Sequence, residues 1–219
     1  MPTFELNSRP GWDGSLTSAM GVNVDIVGYG RRNMRDRQDA QERLHALTLE
    51  LLTNLGVPFE DLLYGGLFGD SMSMVLPSAT DPARALPIVL LTTLAQLAED
   101  NRRYRDRMRI RMGLDFGLVG HSRLGLIGNL IVDLNRLTDN SAIRQAAADY
   151  HGSDLVGLIS NRLYELVGPV EELALERVKI VVKEYVAPAW LWVQSERCAY
   201  PRLQIARSEM PYVTREEPA

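Results

Sequence analysis

Cysteine is nearly absent. Cys198 is the only one in 219 residues, so no intramolecular disulfide can form and a reducing, cytoplasmic compartment is expected. Lysine is almost as scarce: of 24 basic residues only Lys179 and Lys183 are lysines, the rest being arginine, so each lysine merits attention. The three histidines, His45, His121 and His151, show no metal-ligand spacing and no obvious Ser or Cys partner, which leaves a zinc enzyme or a hydrolase triad without support. Long apolar runs are missing as well. The longest, Ala85 to Ala98, is interrupted by Pro87, Thr92, Thr93 and Gln96 and is too short to cross a bilayer, so no membrane span is expected. The first twenty residues carry no basic stretch followed by an apolar one, and read as an arm rather than a signal peptide.

Excess charge is lacking too. A formal net charge of −4 argues against a dedicated nucleic-acid surface. The one basic run, Arg102 to Arg111, holds six arginines with a single interleaved tyrosine, and reads as a solvated helix end. What remains is an ordinary globular composition, 46% hydrophobic and 24% charged, long enough to bury a core in one domain. We take residues 1–20 as the arm, 21–197 as the domain, and 198–219, with Pro201, Pro211 and Pro218, as a peripheral extension.

Periodicity gives the order of elements. Val22 to Val27 reads as a buried strand and Arg35 to Leu55 as an amphipathic helix, with Leu44, Leu47, Leu51 and Leu55 on one face and Gly56 ending it. Two short strands, about 61–67 and 71–76, flank a Gly69-Asp70 turn. Asp81-Pro82 starts a second helix that runs to about Asp106. Arg109 to Gly120 alternates as a strand, placing Arg111, Gly113, Asp115 and Gly117 on one face. Helices are predicted over 139–148 and 153–167, and a terminal hairpin over 178–186 and 189–194. This order makes an α+β fold: a ferredoxin-like core with a mostly antiparallel sheet flanked by helices.

Two aspartates stand out against this background. Asp25 lies in Val22-Asn23-Val24-Asp25-Ile26-Val27-Gly28-Tyr29, and Asp70 in Leu67-Phe68-Gly69-Asp70-Ser71-Met72. An ionised carboxylate among apolar residues needs a compensating charge, and two of them without nearby Cys or His suit Mg²⁺ or Mn²⁺. The alternative is that each aspartate ends a strand or caps a turn, as Asp before Gly or Ser commonly does.

The spacing of these and later residues resembles the catalytic domain of class III nucleotide cyclases, over about Val22 to Val193. Asp25-Ile26-Val27-Gly28-Tyr29 is similar to the segment bearing that family's first metal ligand, and Asp70, 45 residues on, to the second. Arg111-Met112-Gly113-Leu114 matches its Arg-apolar-Gly-apolar strand. Asn140 and Arg144 match its Asn and Arg four apart on a helix, with Asp133 seven residues earlier at a base-reading position. The other base-reading position falls on Tyr64, where the purine cyclases hold a lysine or an acidic residue. Lys183 matches a phosphate-contacting lysine, although its Val181-Val182-Lys183-Glu184-Tyr185 setting lacks the usual glycines.

The resemblance implies an enzyme converting a nucleoside triphosphate to its 3′,5′-cyclic monophosphate and pyrophosphate. It implies two divalent metal ions, Mn or Mg, at Asp25, Ile26 and Asp70; phosphate binding at Gly28, Tyr29 and Lys183; base selection by Tyr64 and Asp133; and catalysis by Asn140 and Arg144. It also implies a head-to-tail homodimer with shared sites. The aromatic Tyr64 in a chain with no visible regulatory domain is most like the pyrimidine cyclases of bacterial anti-phage defence. UTP is then the expected substrate and a separate cyclic-pyrimidine-responsive effector the expected partner. Cytidylate and purine cyclases, and a degenerate domain that binds nucleotide without turnover, are the alternatives.

Overall fold

The computed structural model describes residues 15–122, 125–182 and 185–193. Strand β1 (Thr17–Ile26), helix α1 (Met34–Leu55), strands β2 (Tyr64–Phe68) and β3 (Ser71–Val75), helix α2 (Pro82–Arg103) and strand β4 (Ile110–Ser122) form the first half. The short β5 (Gly125–Ile127), helices α3 (Asn129–Asp139) and α4 (Ser141–Asp149), strand β6 (Leu155–Ser160), helix α5 (Asn161–Val167) and strands β7 (Leu175–Val182) and β8 (Tyr185–Val193) complete it. The sheet runs in the order β2-β3-β1-β4-β6-β8-β7, with β5 paired to β4 off that path. Every pairing is antiparallel except β4 with β6. The β2-β3-β1-β4 portion, with α1 and α2 as its crossovers, is the expected ferredoxin-like core.

The alternation of side chains along the strands sorts the sheet into two unlike faces. Met20, Val22, Val24 and Ile26 of β1, Met72 and Met74 of β3, and Ile110, Met112 and Leu114 of β4 point toward α1, α2 and α5 and form the main apolar core. Their alternate neighbours face α3 and α4. On that side Gly21, Gly113 and Gly117 let α3 lie directly on the strands: a Cβ at Gly113 would come within 2.6 Å of the Thr138 hydroxyl and 3.2 Å of the Leu134 carbonyl. Asn23 bridges sheet and helix, its amide donating to Thr138 Oγ1 at 3.0 Å while its Oδ1 accepts from Ser73 at 2.9 Å.

Four expectations change. Strand β1 starts at Thr17, so residues 17–20 of the expected arm belong to the sheet. The predicted helix 153–167 is a strand followed by a short helix. Leu155–Ser160 is buried along its whole length as the parallel partner of β4, and an apolar run covered on both faces has no alternation to reveal it. Helix α3, directly after β5, is an addition to the expected helices. In the terminal hairpin Val182 pairs with Tyr185, so the first predicted strand, 178–186, takes in residues of both strands. The extension from 198 onward, with Cys198, lies outside the described residues.

Among the described residues no helix is long and apolar enough to cross a membrane. The arginine-rich run is largely consumed locally: Arg102 and Arg103 pair with Glu99, Arg107 with Asp154, and Arg109 donates to the carbonyls of Ala147, Tyr150 and Ser153.

Candidate active site

Asp25 sits near the end of β1, opposite Ser71 of β3 and Arg111 of β4. Arg111 Nε donates to Asp25 Oδ2 at 2.9 Å and a second guanidinium nitrogen joins the same oxygen. Both side chains are about 15% exposed, so the pair is partly desolvated. Burial pushes the Asp25 carboxyl above the ordinary carboxylate range, and the bond and charge of Arg111 pull it back. The nearby Asp70 and Asp139 carboxylates add to the rise.

Asp70 is delivered by the β2–β3 turn. Gly69 takes a positive φ of 60°, a conformation that suits glycine, and its carbonyl accepts from Gln41 Nε2 of α1 at 2.7 Å. The Asp70 carbonyl accepts from the Ile26 N–H at 2.9 Å, which stitches the turn to the end of β1. The chain then leaves β1 through Gly28 (φ 74°) into a single 3₁₀ turn, Tyr29–Arg31, and enters α1 at Asn33, whose side chain caps the Asp36 N–H. Gly28 and Tyr29 therefore lie between the aspartate strand and a helix N-terminus, a setting that favours phosphate.

Beside this end of the sheet, under α3, is a cavity of about 340 Å³ lined by Tyr64, Ser71, Ser73, Met74, Val75, Ile131, Leu134 and Asn135. Ser71, directly opposite Asp25, connects the two. Burial raises the Tyr64 hydroxyl above its usual pKa.

A second charged cluster lies further along the same face. Asp115 of β4 is fully buried and accepts from its neighbour, the Phe116 N–H, and from Arg162 at 2.6 Å. Arg162, at the start of α5, also reaches Asp133 Oδ2 at 2.8 Å. Asp133 Oδ1 in turn accepts from Arg136 at 2.9 Å, and the Arg136 guanidinium lies 4.6 Å from the ring centre of Tyr185. Burial raises the Asp115 carboxyl above the ordinary range despite hydrogen bonds from Ser160 and Arg162.

The structure thus gathers Asp25, Ile26 and Asp70, with Gly28 and Tyr29 following, and adds Arg111, whose place in the Arg111-Met112-Gly113-Leu114 strand motif carries no expected role. It separates the two expected base readers: Tyr64 faces the Ile131 and Leu134 side of α3, whereas Asp133 faces Arg162 and Arg136. Asn140 and Arg144 do not share a helix face. Asn140 is the residue between α3 and α4, 2% exposed, and its amide is spent on the helix break. Its Oδ1 accepts from the Ala142 and Ile143 N–H groups, and its Nδ2 donates to the carbonyls of Arg136 and Leu137. Arg144 is exposed and pairs with exposed Asp139 at 2.9 Å. Lys183 lies outside the described residues.

No known sequence family matches the chain, and no curated protein does. Solved structures do. A guanylyl cyclase superposes with a TM-score of 0.60 at 13% identity over 82% of this chain and 92% of its own. The adenylyl cyclase CyaB from P. aeruginosa gives 0.60 at 16% identity over 84% and 97%. The guanylate cyclase domain of RhGC from Catenaria anguillulae, in complex with GTP, gives 0.57 at 17% identity over 83% and 98%. The chain has the class III nucleotide cyclase fold. In that cyclase fold Asp25 and Asp70 occupy a strand end and the neighbouring hairpin turn, beside the glycine-initiated turn into α1.

The donor set suits a hard divalent cation. Asp25 is a carboxylate held above its ordinary pKa, close enough to Asp70 to feel its charge, and compensated by one arginine. Among the described residues no group of three or more His, Cys, Asp or Glu side chains is placed to enclose a metal. Two carboxylates would therefore leave ligand positions for substrate phosphate oxygens, as Mg²⁺ and Mn²⁺ sites commonly do.

Proposed function

We propose that this protein is a metal-dependent nucleotide cyclase whose substrate is a pyrimidine nucleoside triphosphate, UTP first. The observation that carries the reading is Asp25 and Asp70 together at one end of a cyclase-fold sheet, with Arg111 against Asp25 and the Gly28-Tyr29 turn beside them. The reaction is attack of the ribose 3′-hydroxyl on the α-phosphorus with departure of pyrophosphate. Two divalent ions held by Asp25 and Asp70, with the backbone at Ile26, would supply charge neutralisation to the triphosphate and acidity to the hydroxyl. Arg111, whose guanidinium bonds Asp25 at the end of β1, would lie beside the triphosphate when metal ions engage the carboxylates, and its planar donors suit phosphate oxygens. The N–H groups of Gly28 and Tyr29 donate to the terminal phosphates.

Tyr64 supports the pyrimidine choice. Its ring forms a wall of the cavity adjoining Asp25, where Ser73 and Asn135 offer donors and acceptors for a base edge. The solved relatives are named as adenylyl and guanylyl cyclases, and they keep a purine substrate as the competing reading. A head-to-tail homodimer would set one subunit's aspartates facing the α3–α4 region of its partner, where Asn140 and Arg144 lie, giving two shared sites. A part in anti-phage defence, through a separate cyclic-pyrimidine-responsive effector, follows only if the product is a cyclic pyrimidine.

The deciding experiment is incubation of the purified protein with Mn²⁺ and UTP, CTP, ATP or GTP separately, with Asp70→Ala as control. Cyclic UMP or cyclic CMP from the intact protein alone is the expected result. Cyclic AMP or GMP would retain the cyclase and reject the part given to Tyr64; no product from any nucleotide would leave a binding domain. Tyr64→Lys is expected to lower the pyrimidine-over-purine ratio at least tenfold, and an unchanged ratio would remove Tyr64 as selector.

A further inference from the structure

Behind the Tyr64 cavity the sheet and α3 share one chain of hydrogen bonds, and its protons can be counted. Asn23 of β1 is 5% exposed and lies between α3 and Ser73, its register partner on β3. Thr138 has a single hydroxyl proton and donates it to the Leu134 carbonyl at 3.0 Å, so its oxygen accepts from Asn23 Nδ2, also at 3.0 Å. This fixes the amide: Asn23 Oδ1 faces β3 and accepts the one proton of the Ser73 hydroxyl at 2.9 Å. The other Nδ2 proton goes to Asn135 Oδ1, at a longer 3.4 Å. The chain therefore has one direction, set by a backbone carbonyl, and turning the amide over would leave buried polar groups unpaired.

Ser73 and Asn135 both line the cavity that holds Tyr64. Ser73 has spent its proton on Asn23, so the cavity meets its oxygen as an acceptor. Asn135 has Oδ1 turned to Asn23, so the cavity meets its Nδ2 as a donor. Asp133, the other expected base reader, has both oxygens on arginines and faces away from this wall. From this proton count we propose that the cavity wall is a one-way reader, an acceptor at Ser73 beside a donor at Asn135, that selects uracil over cytosine, with Asn23 and Thr138 as positioning residues behind it. The inference rests on the cyclase reading above and deepens its choice of base.

Uracil presents a C4 carbonyl next to N3–H, whereas cytosine presents a C4 amino group next to an unprotonated N3. The two edges are opposites. A serine with a free proton and an asparagine free to flip would suit either, but here neither group can turn. A base tethered through its ribose to the triphosphate offers its edge in one order only, so a wall of fixed polarity accepts one kind of edge and rejects the other. With UTP, Asn135 Nδ2 donates to the C4 carbonyl and Ser73 Oγ accepts from N3–H. Cytosine in the same pose sets donor against donor and lone pair against lone pair, and a site with unpaired polar groups discriminates strongly. Guanine shares uracil's order and adenine shares cytosine's, so this wall sorts carbonyl from amino bases while Tyr64 sorts by size.

The test measures kcat/KM for UTP and for CTP, with Mn²⁺ and the full chain. Asn135→Asp and Asn23→Asp each turn the donor side of the wall into an acceptor, the first directly and the second by inverting Asn135, whose Nδ2 then donates to the new carboxylate. Each is expected to lower the UTP-to-CTP ratio at least tenfold. Asn135 is exposed, so Asn135→Asp carries the test even where a carboxylate at buried Asn23 prevents folding. A ratio within twofold of the wild type in Asn135→Asp overturns the reader, and a wild type that prefers CTP overturns the uracil assignment. The positioning role is read without activity, by NMR exchange of the Asn23 side-chain N–H protons with water. They exchange slowly in the wild type and at least tenfold faster in Thr138→Val, which removes their acceptor; unchanged exchange in folded Thr138→Val overturns that role. A wild type with slow Asn23 exchange that neither binds nor converts any of the four nucleotides overturns the cyclase reading and the reader together, and leaves the chain of hydrogen bonds as structure.

Discussion

The two faces of the sheet are built from the same strands and by opposite rules. On the α1, α2 and α5 side, the even-numbered residues of β1 and β3 and Ile110, Met112 and Leu114 of β4 make a dry core with Leu86, Leu90, Leu94 and Leu97 of α2. On the α3 side the alternate residues include Asn23, Asp25, Ser71, Ser73, Arg111 and Asp115, interleaved with glycines that bring the helix close. One face supplies stability by removing apolar area from water, about 25 cal/mol per Å². The other carries partly buried charges that lose hydration and are compensated only in part by their partners. That cost is tolerated where the groups have chemistry to do.

This contrast predicts a crossed pair of outcomes, and it is the largest effect expected. Asp25→Asn, which keeps an oxygen acceptor for Arg111, should lower kcat by at least about 1,000-fold through loss of a metal ligand while leaving thermal stability near that of the wild type. Leu90→Ala, at 0% exposure and packed against the space over Gly157, should cost about 2–5 kcal/mol of stability while the folded fraction keeps kcat within about twofold. Unfolding scans and kinetics on both variants check the crossing. Equal stability losses would mean that the α3 side is also a core and its charges merely structural.

The sharpest difference between what could be read from the chain and what needed coordinates also follows the two faces. The apolar side was legible: Leu44, Leu47 and Leu51 on one helix face, the Asp81-Pro82 start of α2 and the Gly56 stop all stand where periodicity and capping put them. The alternation of Arg111, Gly113, Asp115 and Gly117 was visible too, and so were Asp25 and Asp70, because a carboxylate in a strand-like run is conspicuous. The polar side hid its pairings, since ion pairs between β4 and α5, 47 residues apart, leave no trace in spacing. Asn140 shows the limit from the other direction. Asn-x-x-x-Arg reads as two residues on one helix face, but an asparagine is also a strong N-cap, and here the cap wins because α3 ends at Asp139 and α4 needs its first N–H groups satisfied.

A smaller effect tests how closely α3 must lie on β4. Gly113→Ala would put a methyl group 2.6 Å from Thr138 Oγ1, 3.1 Å from Leu137 Cβ and 3.2 Å from the Leu134 carbonyl. The helix has to move, at a cost of about 1–3 kcal/mol, and with it Asn135 at the cavity and Arg136 at the cluster. We expect the unfolding midpoint to fall by about 2–10 °C and kcat to fall more than tenfold in the fraction that remains folded. A stability loss without a loss of kcat would show that α3 can ride outward without disturbing the polar face.

The smallest effect concerns the pH dependence of stability. Burial holds the Asp25 carboxyl above its ordinary range in the folded state, so folding disfavours its ionised form. Its contribution is therefore fully present below the ordinary carboxylate value, and is lost as pH rises through the raised folded value. In metal-free buffer the unfolding midpoint of the wild type, measured against Asp25→Asn, should accordingly drift downward between about pH 4 and pH 7, by on the order of 1–4 °C. Mn²⁺ binds the ionised form, so saturating Mn²⁺ at pH 7 should recover that loss in the wild type and do little for Asp25→Asn. A difference that stays flat with pH would mean Arg111 compensates the carboxylate completely, and the metal end of the site would then carry no more strain than the apolar face behind it.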